Sequence, residues 1–470
     1  MLDSAGIVVY QAYLRSFQDS DGDGVGDLRG AAARLDHLAE LGVGALWLSP
    51  IHPSPLHDFG YDVSDYLAVD PAFGTLGDLD ALVEGAHSRG LRVLMDLVPC
   101  HTSIEHPWFR ERPDFYVWAD RPNNWRSAFG GPAWSQLGDH FYLHSFYPEQ
   151  ADLDWRNPEV VAAMQEVVRF WLQRGVDGYR LDAIDRLMKD PELRDDPPAA
   201  GPFGLPVPED SMRLALTNSR NAPDIGTALG AIRAAAGDAL LVGEVYLPAQ
   251  DLGPYLEHLD HVFAFELLHA RWEAAELGRA IEAMPARGAA WVLSNHDFGR
   301  LATRFGDHNA RAAALLLLTL PGLSFLYQGD EIGLGEGPGG TQAYDRAGRD
   351  SHRHPMQWDP SPEGGFTTGR PWLPTVDPVE RNVEAQRSDR ESMLSLVRRL
   401  IALGGELDDG LELIEAEEGL LVLQRGRHVV AVNTSDRPLP LPGGGDPVLE
   451  SEPGAAAGGR LAAHAGAVLR

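Results

Sequence analysis

Residues 158–182, PEVVAAMQEVVRFWLQRGVDGYRLD, decide the fold. The first part has apolar side chains at helical spacing, Val160, Met164, Val167, Val168 and Trp171, and it ends at Gly175. The second part, VDGYRLD, is too short for a helix and has the buried, β-prone character of a strand that ends in an acid, Asp182. Helix followed by strand is half of a parallel β/α unit, and the pattern repeats outward in both directions. Upstream, IVVYQAY, ALWLSP and RVLMDLV are separated by the helical stretches LRGAAARLDHLAELG and LGDLDALVEGAHSRG. Downstream come ALLVGEV, HVFAFEL, AAWVLSN and GLSFLYQ. Together these make eight strands, enough to close an α/β barrel of the (β/α)8 type. In such a barrel functional groups gather at the C-terminal ends of the strands. The run AAALLLLTL, residues 312–320, reads as a buried helix.

Two stretches interrupt the alternation. Between His101 and Trp155 the helical period disappears and Trp, Pro, Gly and Asn accumulate, which predicts a functional insertion after the third strand. Residues 191–223 form a second, Pro-rich excursion. From about Ala402 the pattern changes to short alternating runs broken by Gly and Pro, as expected of an antiparallel β domain. The expected organisation is therefore a catalytic barrel over 1–100 and 156–401, a lid over 101–155 and a C-terminal β domain over 402–470.

With 470 residues, 44% of them hydrophobic, the chain can bury one large core and a smaller one. Its formal charge of −30 argues against nucleic acid or an anionic membrane as partner and favours a small neutral ligand. Cys100 is the only cysteine, so no disulfide forms within the chain. The start MLDSAGIVVYQAY lacks the basic and apolar segments of a signal peptide, and no apolar run is long enough to cross a bilayer. A cytoplasmic location is expected. Lys189 is the single lysine.

Four of the strand ends carry chemistry: DLVPCHTS (96–103), GYRLDAID (178–185), LLVGEVY (240–246) and LSNHDFGR (293–300). Cleaving a glycosidic bond with retention needs one carboxylate to attack the anomeric carbon and one carboxylic acid to protonate the leaving oxygen. Asp182 fits the first role, with Arg180 two residues earlier on the same face of the strand to keep it ionised. Glu244, ending an apolar run, fits the second, since desolvation favours its protonated form. Taken alone, the same residues also read as an ion pair and a helix cap.

In this order the four segments, with LSPIHPSPLHDFGYDVSDY, PEQADLDW, GDEIGL and RHPMQWD, resemble glycoside hydrolase family 13, the α-amylase family, and within it the α-glucosidase and oligo-1,6-glucosidase branch. The resemblance spans almost the whole chain. It implies the same barrel, with Asp182 as nucleophile, Glu244 as acid and base, and Asp297 as a third acid that grips sugar hydroxyls. It also implies His101 and His296 as sugar-binding imidazoles, Phe129 and Phe146 as pocket lining, and Asp58, Tyr61 and Arg353 as a clamp on the terminal glucose. The expected activity is that of a retaining, exo-acting α-glucosidase on short oligosaccharides or glucosides, with no organic cofactor. A transglucosylase shares the chemistry and remains open. A non-catalytic relative is disfavoured because all three acids are present.

Three positions depart from the pattern, among them Asp154, which stands in the lid segment where the family more often has Asn. Cys100 stands where the family usually has Asn, and Ala183 follows the nucleophile where α-1,6-preferring members tend to have Val. The smaller residue leans the expectation toward α-1,4 bonds. Near the N-terminus, DSDGDGVGD (19–27) alternates oxygens with glycines, a spacing that suits calcium, although a plain acidic turn is the other reading. The resemblance implies Asp19, Asp21, Asp23, Asp27 and the Val25 carbonyl as ligands. Oligomeric state is not legible from these residues.

Overall fold

The computed structural model describes residues 6–285, 287–340, 345–441 and 445–470. The segment 158–182 forms as read. Asn157 caps the helix Pro158–Gln173 by accepting from the Glu159 amide at 2.9 Å, Pro158 occupies the first turn, and Val160, Met164, Val167, Val168 and Trp171 are buried. Each of these five side chains contributes about 1.5–3 kcal/mol of transfer free energy as an upper bound. Gly175, at φ 92°, turns the chain into the strand Gly178–Leu181. Gly178 is required there: a Cβ would stand 2.2 Å from the Leu240 carbonyl oxygen of the neighbouring strand.

Eight strands close the barrel: Val8–Ala12, Ala45–Leu48, Arg92–Leu97, Gly178–Leu181, Leu240–Gly243, His261–Phe263, Ala289–Val292 and Leu323–Tyr327. All eight are the segments expected from the sequence. Each neighbours the strands before and after it in the series, and the first pairs with the eighth, Val8 opposite Ser324. The pairing is parallel, as between Gly178 and Leu94 on one side and Gly178 and Leu240 on the other. The stretch 312–320 lies mostly in the buried helix Asp307–Thr319.

The chain divides into two compact units, one holding Leu48–Val83 and Val93–Phe265, the other the described residues up to Trp47 with Glu84–Arg92 and Glu266–Arg470. The first unit contains the insertion after the third strand. There His101–Ser103 pairs antiparallel with Gln150–Asp152, and Trp118–Ala119, His140–Leu143 and Trp134–Leu137 form a small sheet over a core of Trp125, Ala133, Trp134 and Leu143. The Pro-rich excursion is bound to this insertion: Asn123 Nδ2 donates to the Leu193 carbonyl at 2.8 Å, Trp125 Nε1 to the Arg194 carbonyl at 2.9 Å and the Gly131 amide to Asp210 at 2.8 Å.

The second unit contains the C-terminal antiparallel sheet, formed in order by Glu412–Glu417, Leu420–Arg425, His428–Asn433, Gly466–Leu469 and Pro447–Glu450. The helix Met393–Gly404 runs past residue 402, so the first strand of this sheet starts ten residues after the change of pattern in the sequence. No helix among the described residues is long and apolar enough to cross a membrane.

Candidate active site

Asp182 and Glu244 each lie one residue past the end of adjacent strands and continue the parallel ladder: the Asp182 amide donates to the Leu97 carbonyl at 2.9 Å and the Glu244 amide to the Leu181 carbonyl at 2.8 Å. The Ile184 amide then donates to the Glu244 carbonyl at 3.1 Å, so the loop after Asp182 is pinned to the backbone of Glu244. Ala183 makes this turn in the left-handed region at φ 48°.

One guanidinium gathers the acids. Arg180 Nη1 donates to Asp182 Oδ1 at 2.7 Å and to Asp96 Oδ1 at 2.8 Å, and its Nη2 contacts Glu244. The Arg180 side chain is 3% exposed, that of Asp182 10% and that of Glu244 21%. Glu244 therefore does not have the purely apolar surroundings expected from its preceding run. Its neighbour strand delivers a cation to it, because the side chain two residues before Asp182 points into the barrel from the adjacent strand.

Asp96 was not singled out in the sequence. It is the penultimate residue of the third strand and buried, with Tyr61 Oη donating to its second oxygen at 2.9 Å. Burial pushes its carboxyl up to about 7; the Arg180 charge opposes this and the Asp182 charge adds to it. Burial also works against the Arg180 charge, but Asp96, Tyr61 and Asp182 outweigh it and hold its pKa above the ordinary value.

Asp58, His101 and Tyr61 are joined by Gln150, another residue without a signal of its own in the sequence. Gln150 Nε2 donates to Asp58 Oδ2 at 3.1 Å and lies 3.0 Å from His101 Nε2, which is also 3.0 Å from the Tyr61 carbonyl. Phe146 packs on His101 with ring centres 5.2 Å apart, and Phe129, 40% exposed, stacks on Tyr147 at 4.2 Å. Cys100 is fully buried, its thiol pushed well up by burial and by the Asp152 charge, so it is a packed side chain and not a nucleophile. Its neighbour Asp152 is paired with Lys189 Nζ at 2.5 Å.

In the second unit Asp297 sits at the turn after the seventh strand, its amide held by Asn295 Oδ1 at 2.8 Å. Asp297 Oδ1 accepts from Arg353 Nη2 at 2.9 Å and from Arg349 Nη1 at 2.8 Å, and Oδ2 faces His296 Nε2 at 3.3 Å. Gln11 Nε2 lies 2.7 Å from the other ring nitrogen of His296, an arrangement in which Nε2 carries the proton toward Asp297. Arg353 Nε also donates to the His296 carbonyl at 2.8 Å. Of these residues, Arg349 and Gln11 were not expected. Arg349 lies four residues before Arg353 in GRDSHRHPMQW, beside a cluster of other charges that hides it.

The N-terminal loop brings the carboxylates of Asp19, Asp21 and Asp27 together, with ligand oxygens all within 4.8 Å of one another. Asp23 is not part of this converging group of carboxylates. Asp23 Oδ1 instead accepts from the Val25 amide at 2.7 Å. Burial raises the Asp19 carboxyl, but the Thr367 hydroxyl and the amides of Gly22, Gly24 and Asp21 outweigh it and hold it below its usual range. Three hard oxygen donors on a tight loop are a fitting set for calcium.

Comparison with known proteins agrees with this geometry. Residues 11–408 match the alpha-amylase catalytic domain. A probable alpha-glucosidase of Rhizobium meliloti is 42% identical over 456 residues, covering 84% of this chain and 81% of that one. An oligo-1,6-glucosidase of Parageobacillus thermoglucosidasius is 36% identical, covering 85% and 83%. Among solved structures, the alpha-glucosyl transfer enzyme XgtA is similar with a TM-score of 0.89 and 37% identity over 99% of both chains. The trehalulose synthase MutB of Pseudomonas mesoacidophila has a TM-score of 0.88 and 30% identity over 99% of this chain and 98% of that one. A parallel eight-stranded barrel with paired acids at adjacent strand ends, and relatives of this kind over most of their length, make the chain a glycoside hydrolase belonging to the alpha-amylase family.

Proposed function

We propose that the enzyme is a retaining, exo-acting α-glucosidase that releases terminal α-linked glucose from short oligosaccharides or glucosides. The observation that carries this is Arg180, which holds Asp182 and Glu244 at neighbouring strand ends. In the first half of the reaction Asp182 attacks the anomeric carbon while Glu244 gives its proton to the leaving oxygen, leaving glucose bound covalently to Asp182. In the second, Glu244 takes a proton from water, which attacks the same carbon and frees Asp182. Asp297 stabilises the distorted sugar, with Arg353 and Arg349 holding its carboxylate. In the first unit His101, Phe129 and Phe146 bind the glucose, Arg180 orients the acids and Asp58 and Tyr61 hold its non-reducing end; in the second, His296 and Arg353 carry the sugar-binding roles that the family resemblance implies. Ala183 leaves room for an α-1,4-linked leaving sugar.

Likeness to a glucosyl transfer enzyme favours one second reading, in which a sugar or alcohol replaces water in the second half-reaction. Incubation with maltose, isomaltose, sucrose, trehalose and p-nitrophenyl α-glucoside, with glucose and larger products followed over time, tests both. Glucose as the main product from maltose supports hydrolysis. Longer or rearranged sugars as the main product support transfer. No turnover on any of the five overturns both.

Asp19, Asp21 and Asp27 are the residues that would hold calcium in the N-terminal loop. It would stabilise the fold and take no part in bond cleavage. Calcium at a hundred times its dissociation constant adds about 2.7 kcal/mol to stability. Chelation is therefore expected to lower Tm and added calcium to restore it. An unchanged Tm would leave the loop as an acidic turn closed by its own amides.

A further inference from the structure

The loop after the nucleophile carries a buried cation without an acceptor. Arg186 ends the short turn Ile184–Arg186, four residues after Asp182, and is 4% exposed. Its guanidinium has no hydrogen-bond acceptor and no ion-pair partner among the described residues, yet none of its nitrogens is sealed from solvent. The donors therefore border a narrow accessible space. A guanidinium presents five N–H donors and no acceptor, and burying it unpaired costs free energy unless water or a ligand supplies oxygens.

The surroundings locate that space. One face of the guanidinium lies 5.2 Å from the centre of the Phe146 ring, which itself packs on His101. The Arg186 carbonyl accepts from the Cys100 thiol at 3.5 Å, and the Ile184 amide donates to the Glu244 carbonyl at 3.1 Å. The loop is thus anchored at the end of the third strand and at the acid. A second guanidinium, Arg220, lies near enough to repel Arg186, but it is directed elsewhere: it is 3.6 Å from Asp185 and stacks on Phe203 at 5.1 Å. Of the three cations named here, Lys189 is paired with Asp152, and Arg220 faces Asp185 with two of its three nitrogens sealed from solvent, whereas all three guanidinium nitrogens of Arg186 border the accessible space. The turn that carries Arg186 is thus bound to the backbone of Glu244, the residue proposed to protonate the departing oxygen.

We propose that Arg186 forms a leaving-group subsite, donating to the hydroxyl oxygens of the sugar released from the glucosyl residue, with Phe146 as its apolar wall. This rests on the α-glucosidase reading. The acceptor that attacks the glucosyl-enzyme occupies the same place as the leaving sugar, so Arg186 also favours sugar acceptors over water.

The test compares kcat/KM for maltose, whose leaving group is a sugar, with that for p-nitrophenyl α-glucoside, whose leaving group has no hydroxyls. In R186A the maltose value is expected to fall roughly 10- to 100-fold, the loss of one or two charge-assisted hydrogen bonds, while the aryl glucoside changes by less than about 3-fold. R186K should recover part of the loss, and with excess glucose R186A should form fewer transfer products per hydrolytic turnover. Equal losses on both substrates, or no loss on maltose, overturn the subsite while leaving the glucosidase intact. A wild-type protein inactive on both overturns the glucosidase reading and the subsite with it. Should R186A fail to fold, R186M keeps the volume over Phe146 and carries the same comparison.

Discussion

D182N is expected to lower kcat by at least about 10⁴-fold on every α-glucoside and to leave Tm unchanged or raised. Asn keeps an oxygen for the Arg180 Nη1 donor, which now reaches Asp182 at 2.7 Å, so the local hydrogen bond survives. The variant loses the negative charge and with it the ability to form the covalent glucosyl-enzyme. That charge is also a burden on the fold, since it is one of the causes that push Asp96 up to about 7. Removing it allows Asp96 to ionise more readily beside Arg180. Activity assays with thermal unfolding on the same preparation check both halves. Retained turnover would remove Asp182 as nucleophile; a lost fold would make it a structural ion-pair partner.

E244Q separates the acid from the nucleophile. For maltose, whose leaving sugar needs a proton, kcat/KM is expected to fall about 10²- to 10⁴-fold. An aryl glucoside with a strongly acidic phenol should lose less than about 10-fold in the same parameter, because its leaving group departs without protonation. The second half-reaction still lacks its base, so the covalent intermediate should accumulate, and azide, which attacks without deprotonation, should restore turnover. Equal losses for both leaving groups, or no effect of azide, would count against Glu244 as acid and base. The contact with Arg180 makes this variant informative for another reason: Gln cannot form that ion pair, so any change in Tm measures the pairing apart from catalysis.

The proposed acids Asp182 and Glu244 were legible because each stands at the end of a short, largely apolar run, where the period of the pattern breaks. The two halves of the acid's environment were less so. An apolar stretch before Glu244 predicted desolvation, but the cation that meets it comes from Arg180 on the neighbouring strand, 64 positions away in sequence. Asp96 was visible only as the start of a motif, and its burial against Tyr61 Oη depends on a contact 35 residues distant. Gln150 has no titratable group and no periodic signature, so its bridge between Asp58 and His101 had no trace in the sequence. In the N-terminal loop, alternating Asp and Gly foretold the turn, while the curvature of the backbone turned Asp23 onto the Val25 amide and left three carboxylates converging.

The sequence by itself determined the eight strands, the helix between residues 158 and 173, the insertion after the third strand and the strand-end acids. Those arise from local periodicity, turn residues and the cost of burying polar groups, all of which act over a few residues. Only the tertiary structure decided which charges share a partner. Closing strands into a barrel brings side chains from separate turns of the chain within about 3 Å, and in a dry interior the pairing of a charge outweighs its local propensity. That is why Arg180 became common to Asp96, Asp182 and Glu244, why Arg349 joined Arg353 on Asp297, and why Arg186 was left facing open space.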